Sequence, residues 1–209
     1  MTYPIRTSLI SNPKNRTYMK RKETRYLVLH ETTNSTTAQR QLDAFNSHNW
    51  ELSVHGFIDW QEILLTLPLD EMGWHVGFYA NPYTEGYELT RAPNKEKFNK
   101  QWNMAVWWFA RRLRAYGWGV DRILSHHEVS KKIGGTNHTD PDAYLAMYGK
   151  DMDDFREAVR LTKQAMETVE KLKAAGVTSD PEYWESVLSG ETFPSPDYLN
   201  TLLNRLLDR

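Results

Sequence analysis

The first strong signal along the chain is a continuous apolar run, Tyr26-Leu27-Val28-Leu29-His30, which predicts a strand buried on both faces of a sheet and closing on a histidine. Residues 1–24 before it are polar and turn-rich. Asn12-Pro13-Lys14-Asn15-Arg16 reads as a loop there, and Lys20-Arg21-Lys22 as a solvated basic cluster. After it, Thr33-Asn34-Ser35-Thr36 supplies cap residues for a helix to about His48, with Ala38, Leu42 and Phe45 on one stripe. Leu52 to Asp59 and Glu62 to Pro68 read as a hairpin turning at Asp59-Trp60-Gln61. Trp74-His75-Val76-Gly77 reads as a loop, and Gly86-Tyr87-Glu88-Leu89-Thr90 as a strand carrying a carboxylate.

Asn94 then caps a long helix to about Tyr116, with Phe98, Trp102, Ala105, Val106, Phe109 and Leu113 at helical spacing and Gly117 as the stop. A histidine-rich loop follows, from Leu124-Ser125-His126-His127-Glu128-Val129 to His138-Thr139-Asp140-Pro141. From Asp151 the pattern becomes purely helical, with Phe155, Val159, Thr162, Met166, Val169 and Leu172 on one stripe. Two short helices close the chain, Pro181-Glu182-Tyr183 echoed by Pro196-Asp197-Tyr198, each after a cap at Asp180 or Ser195. The reading is an α/β fold, a central mixed sheet flanked by helices, over residues 1–150, and a small helical C-terminal segment over 151–209.

Composition narrows the function. With 26 Lys+Arg against 27 Asp+Glu, the net charge of -1 leaves no basic excess for nucleic acid or an anionic membrane. No apolar stretch approaches the length of a membrane span, and the opening Met1-Thr2-Tyr3-Pro4-Ile5-Arg6 lacks the apolar segment of a secretion signal. Synthesis in the cytosol without a signal peptide is the expectation. Cysteine is absent, so a metal would be held by His, Asp or Glu alone. Eight Trp and eleven Tyr are a rich supply of flat surface for a core, an interface or sugar stacking.

None of the seven histidines forms the His-x-x-x-His pair of a zinc helix. Position singles some of them out. His30 ends a central strand, where open α/β sheets bind ligands, and His126 and Asp140 share a Gly-rich loop able to fold back towards it. His48 and His127 read as ordinary surface or core residues, and His55, inside a strand pattern, as structural.

Leu27-Val28-Leu29-His30-Glu31-Thr32, Ser53-Val54-His55-Gly56-Phe57-Ile58-Asp59, Trp74-His75-Val76-Gly77, Gly86-Tyr87-Glu88-Leu89, Ser125-His126-His127-Glu128-Val129 and His138-Thr139-Asp140-Pro141 occur in one order. That order resembles zinc-dependent N-acetylmuramoyl-L-alanine amidases of the type-2 amidase, or peptidoglycan-recognition, fold. The resemblance covers about residues 22–150. The short helical tail and lack of a signal segment look most like phage endolysins of Gram-positive bacteria, which implies action on the cell wall after holin-dependent release.

The resemblance implies one Zn²⁺ per chain, held by His30, by His126 or its neighbour His127, and by Asp140, with a fourth position for water. It implies Glu88 as general base and later acid, with Glu85 the nearest competitor. Where hydrolytic members often carry a Lys, two residues before the third ligand, this chain has His138, whose imidazole can also donate to the substrate oxygen. His75 would line the substrate-binding groove, with Trp74 packed beneath it. The implied partner is bacterial peptidoglycan, with no nucleic acid and no membrane insertion, while the oligomeric state is not readable. Two rivals stay open: a non-catalytic binding module of the same fold, and a zinc peptidase cutting the stem peptide. Non-catalytic relatives typically lose a metal ligand, and all three are present here. The C-terminal helices read either as a brace or association element, or as a wall-targeting module.

Overall fold

Short apolar runs pair here across long stretches of chain. The computed structural model describes residues 3–188, 192 and 194–207; Met1 and Thr2 of the opening hexapeptide lie outside them. Strands β1 (Ile5–Thr7), β2 (Tyr26–Glu31), β3 (Gly56–Ile58), β4 (Ile63–Leu65), β5 (Thr84–Leu89) and β6 (Ile123–Ser125) form one mixed sheet in the order β1-β4-β3-β5-β2-β6. β2 lies between β5 and β6, parallel to both, with His30 opposite Glu88 and Leu29 opposite Ser125. Only β3 and β4 pair antiparallel among the described strands. Their turn is held by the Asp59 carboxylate, which accepts from Gln61 N at 2.6 Å and Glu62 N at 2.9 Å.

The helices are α1 (Ala38–Ser47), α2 (Lys95–Tyr116), α3 (His126–Lys132), α4 (Asp142–Ala146), α5 (Met152–Ala174), α6 (Pro181–Leu188) and α7 (Pro196–Leu207). The aromatic stripe of α2 covers one face of the sheet: Phe98, Ala105, Phe109 and Leu113 pack on Leu27, Leu29, Tyr87 and Leu89. α5 lies behind α2 and adds Phe155, Val159 and Met166 to the same core. Phe155 is fully buried against the rings of Trp102 and Phe109, and truncating such a side chain typically costs about 3–5 kcal/mol. The opposite face is covered in two patches. Ala38 and Leu42 of α1 pack with Val54, Phe57 and Leu64, while Val129 of α3 packs with Val28, Val76, Ala80 and Leu124.

Several boundaries differ from the sequence reading. Ile5–Thr7 is an edge strand and Pro13–Asn15 a single 3-10 turn, where a loop was expected; three exposed residues at a sheet edge carry no alternation. The α1 cap is Thr37 rather than an earlier residue, because its hydroxyl is the one that accepts from Arg40 N. The expected hairpin strands shorten to three ladder residues each, and β5 begins at Thr84 rather than Gly86. The histidine-rich segment is not one loop: it contains β6 and then α3, whose start is closed by a reciprocal Ser125/Glu128 capping box.

Candidate metal centre and cleft

Three adjacent parallel strands deliver their carboxyl ends to one place, the position at which α/β sheets bind ligands. β2 brings His30, β5 brings Glu88 one register position across, and β6 ends at Ser125 so that the first residue of α3 is His126. The loop after α3 returns Asp140. His30 Nδ1 stands 3.1 Å from His126 Nδ1 and 3.2 Å from Asp140 Oδ2, and His126 Nδ1 is 3.2 Å from Asp140 Oδ1. Zinc in tetrahedral coordination, with bonds of about 2.0–2.1 Å, spaces its ligand atoms about 3.3 Å apart. Two imidazole nitrogens and one carboxylate at these separations fit such an ion with almost no adjustment.

The electrostatics agree with that donor set. Burial holds His30 below the usual histidine range, so the ring is neutral and keeps a lone pair. Burial opposes ionisation of Asp140, but hydrogen bonding with the His126 ring beside it acts the other way, and its carboxyl lies well below the usual carboxylate range. The outer ring nitrogens are also engaged: His30 Nε2 lies 2.9 Å from His75 Nδ1, and His126 Nε2 lies 2.8 Å from Thr136 Oγ1. Such contacts orient metal-binding imidazoles.

His126, not His127, reaches the cluster; His127 turns away to Asp142, 2.5 Å from its Oδ2. His138 stacks on His126 with ring centroids 4.5 Å apart, and its Nδ1 lies 3.5 Å from Asp140 Oδ1. Its side chain is 64% exposed, so the ring is available to a ligand. Glu88 lines the same cavity, and its Oε2 is buried without a hydrogen-bond partner among the described residues. Burial first, and then the nearby charges of Asp140 and Glu31, push its pKa well above the ordinary range. Glu85 faces the other side of the sheet, bound to Arg112, Tyr87 and Tyr116, and does not share the cavity.

His55 is structural. Its Nδ1 accepts from Gly86 N at 3.0 Å, its Nε2 lies 2.9 Å from Glu71 O, and burial lowers its pKa to about 4. His48 lies at the surface, stacked on Trp50.

These groups sit in a cleft of about 590 Å³ between α1 and α3, within the usual size of a small-molecule site. Trp74 and His75 both line it. The sequence reading missed the wall formed by Asn34, Phe45, Trp50 and Leu52, since these positions look like α1 core and ordinary loop. It also missed Asn81, whose side-chain oxygen accepts from His75 N and Val76 N and so fixes the 74–77 loop.

Fold and site together define an α/β protein with a candidate mononuclear metal centre at the carboxyl edge of a mixed sheet. The family profile described as N-acetylmuramoyl-L-alanine amidase matches residues 20–143, over half of the chain. The chain belongs to that family. Protein Ami of Listeria monocytogenes is 29% identical over 150 residues, covering 68% of this chain and 16% of that protein. The bifunctional autolysin of Staphylococcus aureus is 28% identical over 142 residues, covering 64% of this chain and 11% of that protein. The chain thus spans a small part of the length of these relatives. Among solved structures, the Staphylococcus aureus hydrolase AmiA in complex with its ligand matches with TM-score 0.69 and 24% identity, covering 77% of this chain and 83% of that one. A mutant endolysin from Bacillus subtilis matches with TM-score 0.62 and 20% identity, covering 76% and 99%. These two likenesses establish the fold. No described helix is long and apolar enough to cross a membrane.

Proposed function

We propose that the protein hydrolyses the amide between the lactyl carboxyl of N-acetylmuramic acid and L-alanine in bacterial peptidoglycan, using one Zn²⁺ held by His30, His126 and Asp140. The observation that carries the reading is the triangle of ligand atoms 3.1–3.2 Å apart on the floor of a cleft that also holds the unpartnered Glu88 carboxyl. When bound, zinc supplies acidification of a water and polarisation of the scissile carbonyl. Glu88 takes the proton from the attacking water at Oε2 and returns it to the leaving nitrogen; burial raises its pKa, which favours the protonated carboxyl that makes the return step. His138, on the open side of the cluster, donates a ring N–H to the oxygen that gains charge. Trp74 and the ring face of His75 form part of the wall against which the substrate lies.

Under this reading the protein acts as an endolysin of phage origin, made in the cytoplasm and reaching the wall after holin-dependent release. Residues 1–150 are the catalytic unit and 151–209 its brace, supported by the packing of Phe155, Val159 and Met166 into the main core. Mass spectrometry of digested cell walls tests the reaction. Stem peptides released whole, with a free amino group on L-alanine, are expected. Shortened stems would make the protein a peptidase, and undigested wall that retains the protein would make it a binding module.

A further inference from the structure

Two imidazoles and a threonine form a chain of contacts that ends at the candidate metal site. Thr84 Oγ1 donates to Ala80 O at 3.0 Å. A carbonyl can only accept and a hydroxyl has one hydrogen, so the same oxygen must accept from His75 Nε2, which lies 3.3 Å away. His75 therefore carries its proton on Nε2 and offers a lone pair at Nδ1. That lone pair faces His30 Nε2 at 2.9 Å, so His30 must carry its own proton there. His30 Nδ1, turned towards His126 and Asp140, is left bare.

Gly86 makes the stack possible: a Cβ at this position would lie 2.4 Å from Nδ1 and Cε1 of His75. His126 has a less determined neighbour. Its Nε2 meets Thr136 Oγ1, a hydroxyl free to serve as donor or acceptor.

We infer that Thr84 and His75 are positioning residues that fix His30 in the tautomer with Nε2 protonated and Nδ1 free for a metal. The inference rests on the metal site proposed above. It gives His75 a part in metal binding, and with both ring nitrogens committed His75 has none left to bond substrate. Without the hydroxyl, His75 is free to take its other tautomer, which would force His30 to carry its proton on the metal side.

Two measurements test this. Long-range ¹H–¹⁵N correlation spectra of the metal-free wild-type protein report which ring nitrogen carries hydrogen. His30 and His75 protonated on Nε2 is the expected result, and His30 protonated on Nδ1 overturns the inference. Zinc affinity by chelator competition then compares wild type with Thr84→Val, which keeps the shape and removes the hydroxyl. Affinity should fall about 10- to 100-fold, the usual cost of losing an outer contact to a ligand, and Thr84→Ser should restore it. Equal affinity in Thr84→Val and wild type would also overturn the inference. A wild type that binds no zinc would instead remove the proposed function, and the spectra would still decide the tautomer.

Discussion

Glu85 and Glu88 stand three residues apart on β5 and face opposite sides of one sheet. The face carrying Glu85 is saturated: its carboxylate accepts from Arg112 at 2.6 and 2.8 Å, from Tyr87 at 2.6 Å and from Tyr116 at 2.7 Å, with Arg21 at 3.3 Å. Burial alone would raise its pKa, yet these partners hold it at about 2. The face carrying Glu88 leaves a buried oxygen without a partner, and there burial wins. Satisfied charge on one face builds a rigid base, while the other face leaves an unpartnered carboxyl turned to the cleft.

Breaking the cleft face should have the largest effect. Asp140→Ala should lose bound zinc by metal analysis and reduce wall hydrolysis to background, since two histidines alone make a poor site. Glu88→Gln should keep the zinc and the fold while lowering turnover by about 10²–10⁴, the range for a lost general base. Near-normal turnover would remove Glu88 from the chemistry. Truncating His138 to Ala should lower kcat by about 10²–10³ at unchanged zinc content, as for loss of one oxyanion donor, with His138→Lys recovering much of it.

The other face should fail differently. Glu85→Ala leaves Arg112 and Arg21 without their buried counter-charge and should cost about 3–5 kcal/mol in denaturant unfolding, with turnover per folded molecule retained. The acid limb sharpens the contrast. Because the folded pKa of Glu85 lies below its ordinary 4.5, its contribution is complete above about 4.5 and lost as pH falls towards about 2. That shift corresponds to about 3 kcal/mol of stability. Glu85→Gln should flatten the limb, and an unchanged acid profile would show that the network contributes little.

The division between the two glutamates was open to sequence reasoning. Successive strand residues alternate faces, so Glu85 shares parity with Tyr87 and Leu89 of the core, and Glu88 does not. The strand ending at His30, the α2 stripe and its Asn94 cap were legible because long periodic runs constrain themselves locally. β6 and α3 were obscured by length, since a three-residue strand shows no period, although Ser125-His126-His127-Glu128 spells a capping box. The commitment of His75 to His30 spans 45 positions and depends on the absent side chain of Gly86, for which no local pattern exists.

The register of β2 between β5 and β6 also has a consequence in time. His30 emerges early in synthesis, yet its neighbours in the site arrive 96 and 110 positions later. A growing chain therefore cannot assemble His30, His126 and Asp140 of the candidate metal site until the last strand has docked beside the first central one. Partial products and early fragments carry His30 and Glu88 but no completed centre. Metal binding at these three positions, and any chemistry that depends on it, is thereby delayed by chain topology until folding is finished.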